Sequence, residues 1–593
     1  MARITGASEE RVAQVRRWLG LNESPGGDTR LKLGEAAEMR NFSITADGSL
    51  QLRPGTRSIV GFDGPVQGLW SGNVAGEAVL VCAADGKLWR IDTGLETKTE
   101  IGTADTSGPV SFFGYSGKLY LLNGTQYLCW DGEATAEVTG YRPLTATAAP
   151  PAGGGTAVES VNKLNGMRRV RFSPDGTATV FQLPETGLES LDYVTALADG
   201  TALEHTADLE AGTVTFSEAP AAGVSTVEIG YTVPDHDRAK VLGMRFAELY
   251  NGVTDNRVFL YGDGSNQAVY SGLDGDGNAT AEYFPDLNVV NVGESNTPIT
   301  SMIRHMSRLV VFKTDSAWSI YYGQITLESG ALTAGFYLTP INRAIGNVAP
   351  GQVRLVTNNP RTLHGGGCYE WKGSSNLTGD ERTAKRISER VKATLEAFDL
   401  PAASAFDDDL HQCYYIVHDD RALVHNYAQD AWFLYTAFPA RCMALHGQEL
   451  YAGMAHGGLV HISREYRNDD GAAIDAFWMS GAMDFDREWI RKMSATIWVG
   501  IKPEANARVT VTARSDRKAG YAEKVISAGL SAFDHADFAH WSFNTNRRSH
   551  IYRARLKVKK FALYQLIFQS NSTTDTSTIL SVDMKIRYGG TVK

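Results

Sequence analysis

Long apolar runs are missing from this sequence of 593 residues. No stretch approaches the roughly eighteen consecutive apolar residues of a membrane-spanning helix. The opening Met1-Ala2-Arg3-Ile4-Thr5-Gly6 lacks the apolar core of a secretory signal. Synthesis and assembly in a cytoplasm, without stable membrane insertion, are therefore expected. Cysteine is scarce as well. Cys82, Cys129, Cys368, Cys413 and Cys442 are odd in number, scattered and free of CxxC spacing, which argues for buried reduced thiols rather than disulfides or zinc. Basic charge is short: 57 Lys and Arg face 67 Asp and Glu, for a net charge of −10. A tight grip on nucleic acid needs a basic footprint, so passage of DNA without specific binding is compatible with this balance and wrapping is not.

Catalytic signatures are also wanting. There is no HExxH, no phosphate loop and no nucleophile elbow; Gly114-Tyr115-Ser116-Gly117-Lys118 fits the spacing of neither of the last two. Ser173-Pro174-Asp175-Gly176-Thr177 comes nearest to a sialidase turn box, but its glycine falls one place early, as in an ordinary hairpin turn. No residue is assigned a catalytic, cofactor-binding or metal-binding role, and an enzyme is not expected.

What the chain has in plenty is hairpins. An apolar strand, a tight polar turn and an aromatic strand recur at Leu80 to Asp92, Gly117 to Gly132, Arg257 to Gly272, Arg308 to Gly323, His411 to Tyr427 and Glu449 to Ile462. One hairpin cannot bury its apolar face alone, so recurring copies predict radial packing of four-stranded blades. The fold class is mainly β: a β-propeller of about six or seven blades with two β-sandwiches. Composition, 43% hydrophobic and 21% charged, is that of a globular chain, and its length calls for several domains.

The expected order is an N-terminal helix and extended arm over 1–50, a first part of the propeller over 51–142, a linker and inserted β-sandwich over 143–235, the rest of the propeller over 236–465, and a jelly-roll-like sandwich over 466–593. The helix is read at 8–20, with Ser8 as N-cap and Val12, Val15, Trp18 and Leu19 at helical spacing. Pro143 to Gly155 reads as linker, and a second helix is read from Thr383 to Asp399 with Ile387, Val391 and Leu395 four apart.

Five clusters invite chemistry. Asp274, Asp276 and Asn278 begin like a calcium loop, but Ala279 stands where that loop needs glycine and no bidentate Glu follows. His418, His425, His446, His456 and His461 crowd two adjacent hairpins, and blade faces or turns are the plainer reading of them than metal. Asp407, Asp408 and Asp409 with Trp432 are the best candidates for a glycan site, the alternative being a carbohydrate-binding or carbohydrate-active propeller. Arg168, Arg169 and Arg171 form one basic concentration. Arg547 and Arg548 through Arg553, Arg555, Lys557, Lys559 and Lys560 form another, whose alternation places it on one strand face, as a solvated edge or a docking surface for an acidic partner.

The succession Arg257 to Gly262, Ala268 to Gly272, Tyr283 to Asp286, Asn291 to Gly293, Pro298 to Ile303, Arg308 to Lys313 and Ser316 to Ile320 resembles the tail nozzle, or tail tubular protein B, family of short-tailed bacteriophages. The arm, with Met39-Arg40-Asn41-Phe42, Asp47 to Leu50 and Arg53-Pro54-Gly55, is similar to the opening of such proteins. The resemblance covers residues 20 to 465. It implies a structural virion protein forming a homo-oligomer, a hexameric ring, below head-to-tail adaptor proteins, with tail needle or fibres attached and DNA passing along its axis. A place at the tip of a long tail is a further alternative.

Overall fold

The computed structural model describes residues 9–24, 31–234, 236–250, 256–326, 332–373, 382–504, 506–528 and 549–591. Seven four-stranded antiparallel sheets dominate these residues. Six are built from consecutive strands, over 68–103, 111–137, 246–291, 299–342, 354–386 and 404–436. The seventh joins three strands over 440–463 to Gly55–Gly61, which pairs antiparallel with Gly458–Ser463. The first strand of each sheet touches the first strand of the next, from 68–74 through 111–115, 246–250, 299–305, 354–356, 404–408 and 440–446 and back to 68–74. The cycle closes, so the chain is a β-propeller whose ring is locked by an early strand completing the last sheet.

The sequence explains why these sheets pack on both faces. Their second strands are near-continuous apolar runs, such as Val258-Phe259-Leu260-Tyr261 and Leu309-Val310-Val311-Phe312, with every one of these side chains buried. A strand covered on one side only would alternate; one covered on both does not. Shared cores follow, as where Tyr250, Phe259 and Ala268 of the third sheet meet Met302, Leu309 and Ile320 of the fourth. Turns obey local chemistry: Asp85-Gly86 and Ser116-Gly117 both have positive φ at two successive residues, which fits tight two-residue hairpins.

Residues 144–232 lie between the second and third ring sheets and form a five-stranded and a three-stranded sheet over one core. Phe181 meets Phe172 edge-on at 5.3 Å and Phe216 at 4.8 Å across that core. Leu144–Ala149, inside the stretch read as linker, is one of its strands, parallel to Met167–Phe172.

The rest of the chain gives three corrections. The helix expected at 8–20 is a strand, Glu10–Val15, antiparallel to Thr578–Thr591, while Ser8 lies outside the described residues. Glu10 faces both Lys585 and Arg587, and Arg16 faces Asp583; the strand ladder and its cross-strand ion pairs outweigh the weak helical spacing. Nor is 1–50 a separate arm, though 1–8 and 25–30 lie outside the described residues. Its strands split between a seven-stranded and a six-stranded sheet completed by the C-terminal segment, and Trp18 packs edge-on against Trp478 at 4.8 Å. The helix expected from Thr383 to Asp399 reduces to a 3-10 turn at Glu389–Val391 and a five-residue helix at Lys392–Glu396. Arg382–Arg386 instead pairs with Gly367–Gly373. Val391 and Leu395 are buried as the spacing required. No described helix is long and apolar enough to cross a membrane.

Candidate functional site

The first strands of the ring sheets surround its axis, and polar side chains gather there. Glu248, on Phe246–Tyr250, accepts from the Arg304 backbone at 3.3 Å, and burial holds its carboxyl up at about 7. Asp407, on Ser404–Asp408, is pushed up to about 7 by burial against the opposing pull of Arg361 and Arg354. One Asp407 oxygen and the hydroxyl of Tyr414, its cross-strand neighbour, are buried without a hydrogen-bond partner. Burial also lowers the pKa of the Arg354 guanidinium. Such a centre can take up protons near neutrality.

Between the fifth and sixth ring sheets runs a buried charged chain. Arg361, 2% exposed, donates to His425 Nδ1 at 2.9 Å and approaches Glu370 at 3.6 Å. Because a guanidinium only donates, His425 Nδ1 accepts and Nε2–H points to Asp430 at 3.3 Å. Burial, and then the Arg361 charge, keeps this imidazole neutral by lowering its pKa. Ser71 Oγ lies 3.0 Å from His446 Nδ1 where the first and seventh sheets meet. No carboxylate is among the partners of His446 in the described residues, so the third member of a catalytic triad is wanting.

The other clusters do not converge. Asp274 spends its carboxylate on the backbone amides of Asp276 and Asn278, at 3.0 and 2.8 Å, capping its own loop. Asp408 is buried and accepts from His411 at 2.8 Å, while Trp432 is 1% exposed and stacks on His425 at 4.5 Å. That tryptophan is core, so the glycan constellation loses its platform; its position opposite His425 on the neighbouring strand was the signal that sequence reading passed over. His461 bonds Glu449 and Tyr466, His418 lies beside Asp419, and His456 is an exposed turn residue, so the five histidines share no centre. Among the described residues no three His, Cys, Asp or Glu are grouped to hold a metal. Arg168 pairs with Glu185, and Arg169 and Arg171 with Glu228. Arg553, Arg555, Lys557 and Lys559, by contrast, are exposed and alternate with buried Ala554, Leu556 and Val558; Arg547 and Arg548 lie outside the described residues. The five cysteines are free, and burial raises the thiols of Cys368, Cys413 and Cys442 to about 12.

A seam missed by sequence reading ties the propeller to the two-sheet module. Buried Arg53 reaches Asp469 with two nitrogens, at 3.0 and 2.5 Å, Asn41 at 2.9 Å and the Pro54 carbonyl at 2.9 Å. Asn41 in turn binds Thr436 of the sixth ring sheet and the Asp475 carbonyl.

No protein-family profile matches the chain, and no curated protein matches it. Among solved structures it is similar to the computationally designed Ika8 protein (10% identity, 69% of this chain and 99% of that one, TM-score 0.31). It is also similar to the AfRom2 CNH domain (9%, 69% and 98%, 0.33) and to the WD40 domain of SCAP from fission yeast (9%, 69% and 97%, 0.28). Likeness at these scores adds nothing to the closed ring of sheets read from strand order.

Proposed function

We propose that this chain is a structural assembly protein, a seven-bladed propeller carrying two β-sandwich modules, that forms the ring-shaped nozzle of a short-tailed phage. The observation that carries this reading is the placing of the two modules. One is inserted between the second and third ring sheets; the other packs on the sixth, so a rigid ring offers contact modules on opposite sides. A subunit that meets a neighbour on each side closes into a larger ring when the rotation allows. Support also comes from Asp274, Arg168, Arg169, Arg171 and His425, which are spent on internal partners, and from the net charge of −10, which discourages DNA from sticking in transit. Head-to-tail adaptor proteins would bind one end of the ring, needle or fibres the other. The test is co-sedimentation with the adaptor ring of the same virion: stoichiometric capture is expected, and a chain indifferent to the adaptor overturns the reading.

A further inference from the structure

Charge is divided unevenly between the two modules. Residues 466–593 hold twenty basic against thirteen acidic side chains, and residues 143–235 hold twelve acidic against four basic. The insert spends its arginines internally, on Glu185 and Glu228. Its exposed acids Asp199, Glu204, Asp208 and Glu210 surround His205–Asp208, the edge strand of the three-stranded sheet, and no described cation pairs with them.

In the C-terminal module, which packs on the sixth ring sheet, exposed Arg553 and Lys559 stand on the strands His550–Ala554 and Val558–Phe561, and exposed Arg555 and Lys557 on the short segment that joins them. These two strands pair with successive stretches of Ile490–Ile501, where half-buried Trp498 faces Arg553 directly. Ile551, 67% exposed, lies on the same outward face. An edge merely protected from aggregation needs charge alone; an apolar centre inside a basic surround is the anatomy of an interface.

Within one chain the insert joins the ring between its second and third sheets, whereas the C-terminal module packs on the sixth. We infer that the basic face of the C-terminal module docks the acidic edge of the insert of a second copy, head to tail around the assembly. This deepens the nozzle reading and rests on it. Complementary potentials of this kind set register and speed association.

The test uses full-length protein and light scattering at low ionic strength. One variant carries Arg555→Glu, Lys557→Glu and Lys559→Glu; the other carries Asp199→Lys, Asp208→Lys and Glu210→Lys. All six positions are exposed, and circular dichroism checks that the fold survives. Each variant alone is expected to associate about tenfold more weakly than the parent, or worse. An equimolar mixture should reassemble, because each reversed face then meets the other's reversed partner. If parent and variants assemble alike, this interface is wrong while the ring stands. A parent that stays monomeric overturns the ring reading and the inference together. If the first variant loses retention of duplex DNA but keeps parental assembly, the face binds nucleic acid and the inference falls.

Discussion

Arg53 and Asp469 form a two-pronged ion pair at the point where the chain enters the propeller and the point where it leaves. Arg53 is 2% exposed, and its guanidinium also lies 5.8 Å from the Tyr435 ring and 5.9 Å from that of Phe438. The pair is therefore the clasp between the ring and the module built from both ends of the chain.

Removing one member leaves a buried charge unsatisfied, so Asp469→Ala should destabilise by about 3 to 5 kcal/mol. The measurement is the thermal midpoint together with limited proteolysis near residue 469. A double replacement, Arg53→Met with Asp469→Leu, should recover much of the loss, since no charge is then stranded. Equal damage from the single and double changes would show that the pair is not the clasp.

Gly20 should tolerate no side chain. Its φ is +83°, and a Cβ there would lie 2.8 Å from the Trp432 carbonyl oxygen of the sixth ring sheet. Gly20→Ala is expected to cost about 1 to 3 kcal/mol through backbone strain and collision. Hydrogen exchange should rise in Gly20–Leu21 and Glu35–Arg40 while the ring sheets stay protected.

How much of this was legible in sequence depends on what kind of neighbour each residue has. The ring strands declared themselves because a strand buried on both faces, such as Val258 to Tyr261, must be apolar throughout. The strand Glu10–Val15 did not, because its partner lies at the other end of the chain and Val12 and Val15 also fit a helical spacing. Arg53 read as part of a turn; its partner is 416 residues away, and no local pattern announces a buried cation. The basic alternation at Arg553 to Lys559 was legible as an exposed face, but not the break at 555–557 that divides it between two strands, both paired with Ile490–Ile501.

The stability contributed by the ring centre should be lost as pH rises from about 4 to about 7. Glu248 and Asp407 both have folded pKa values raised to about 7, above their unfolded values of about 4.3 and 3.9. Between those limits the unfolded state has lost the protons that the folded state keeps, so the contribution of these two carboxyls is full below about pH 4 and declines up to about pH 7. Glu248→Gln and Asp407→Asn should each flatten that decline, read as thermal midpoint against pH. An unchanged profile would show that these carboxyls ionise freely in the fold.

Thiol labelling should follow burial. Cys82 and Cys368 are 0% exposed, and burial raises both thiols, so alkylation of native protein at pH 8 should spare them until denaturant is added. Half-buried Cys129 should react before either.

The central claim is that this propeller assembles through its two modules into a ring. Native mass spectrometry of the purified 64.4 kDa chain tests it most directly. A closed species of about six copies that dissociates with rising salt is the predicted result. A monomer at every concentration and ionic strength would contradict the account.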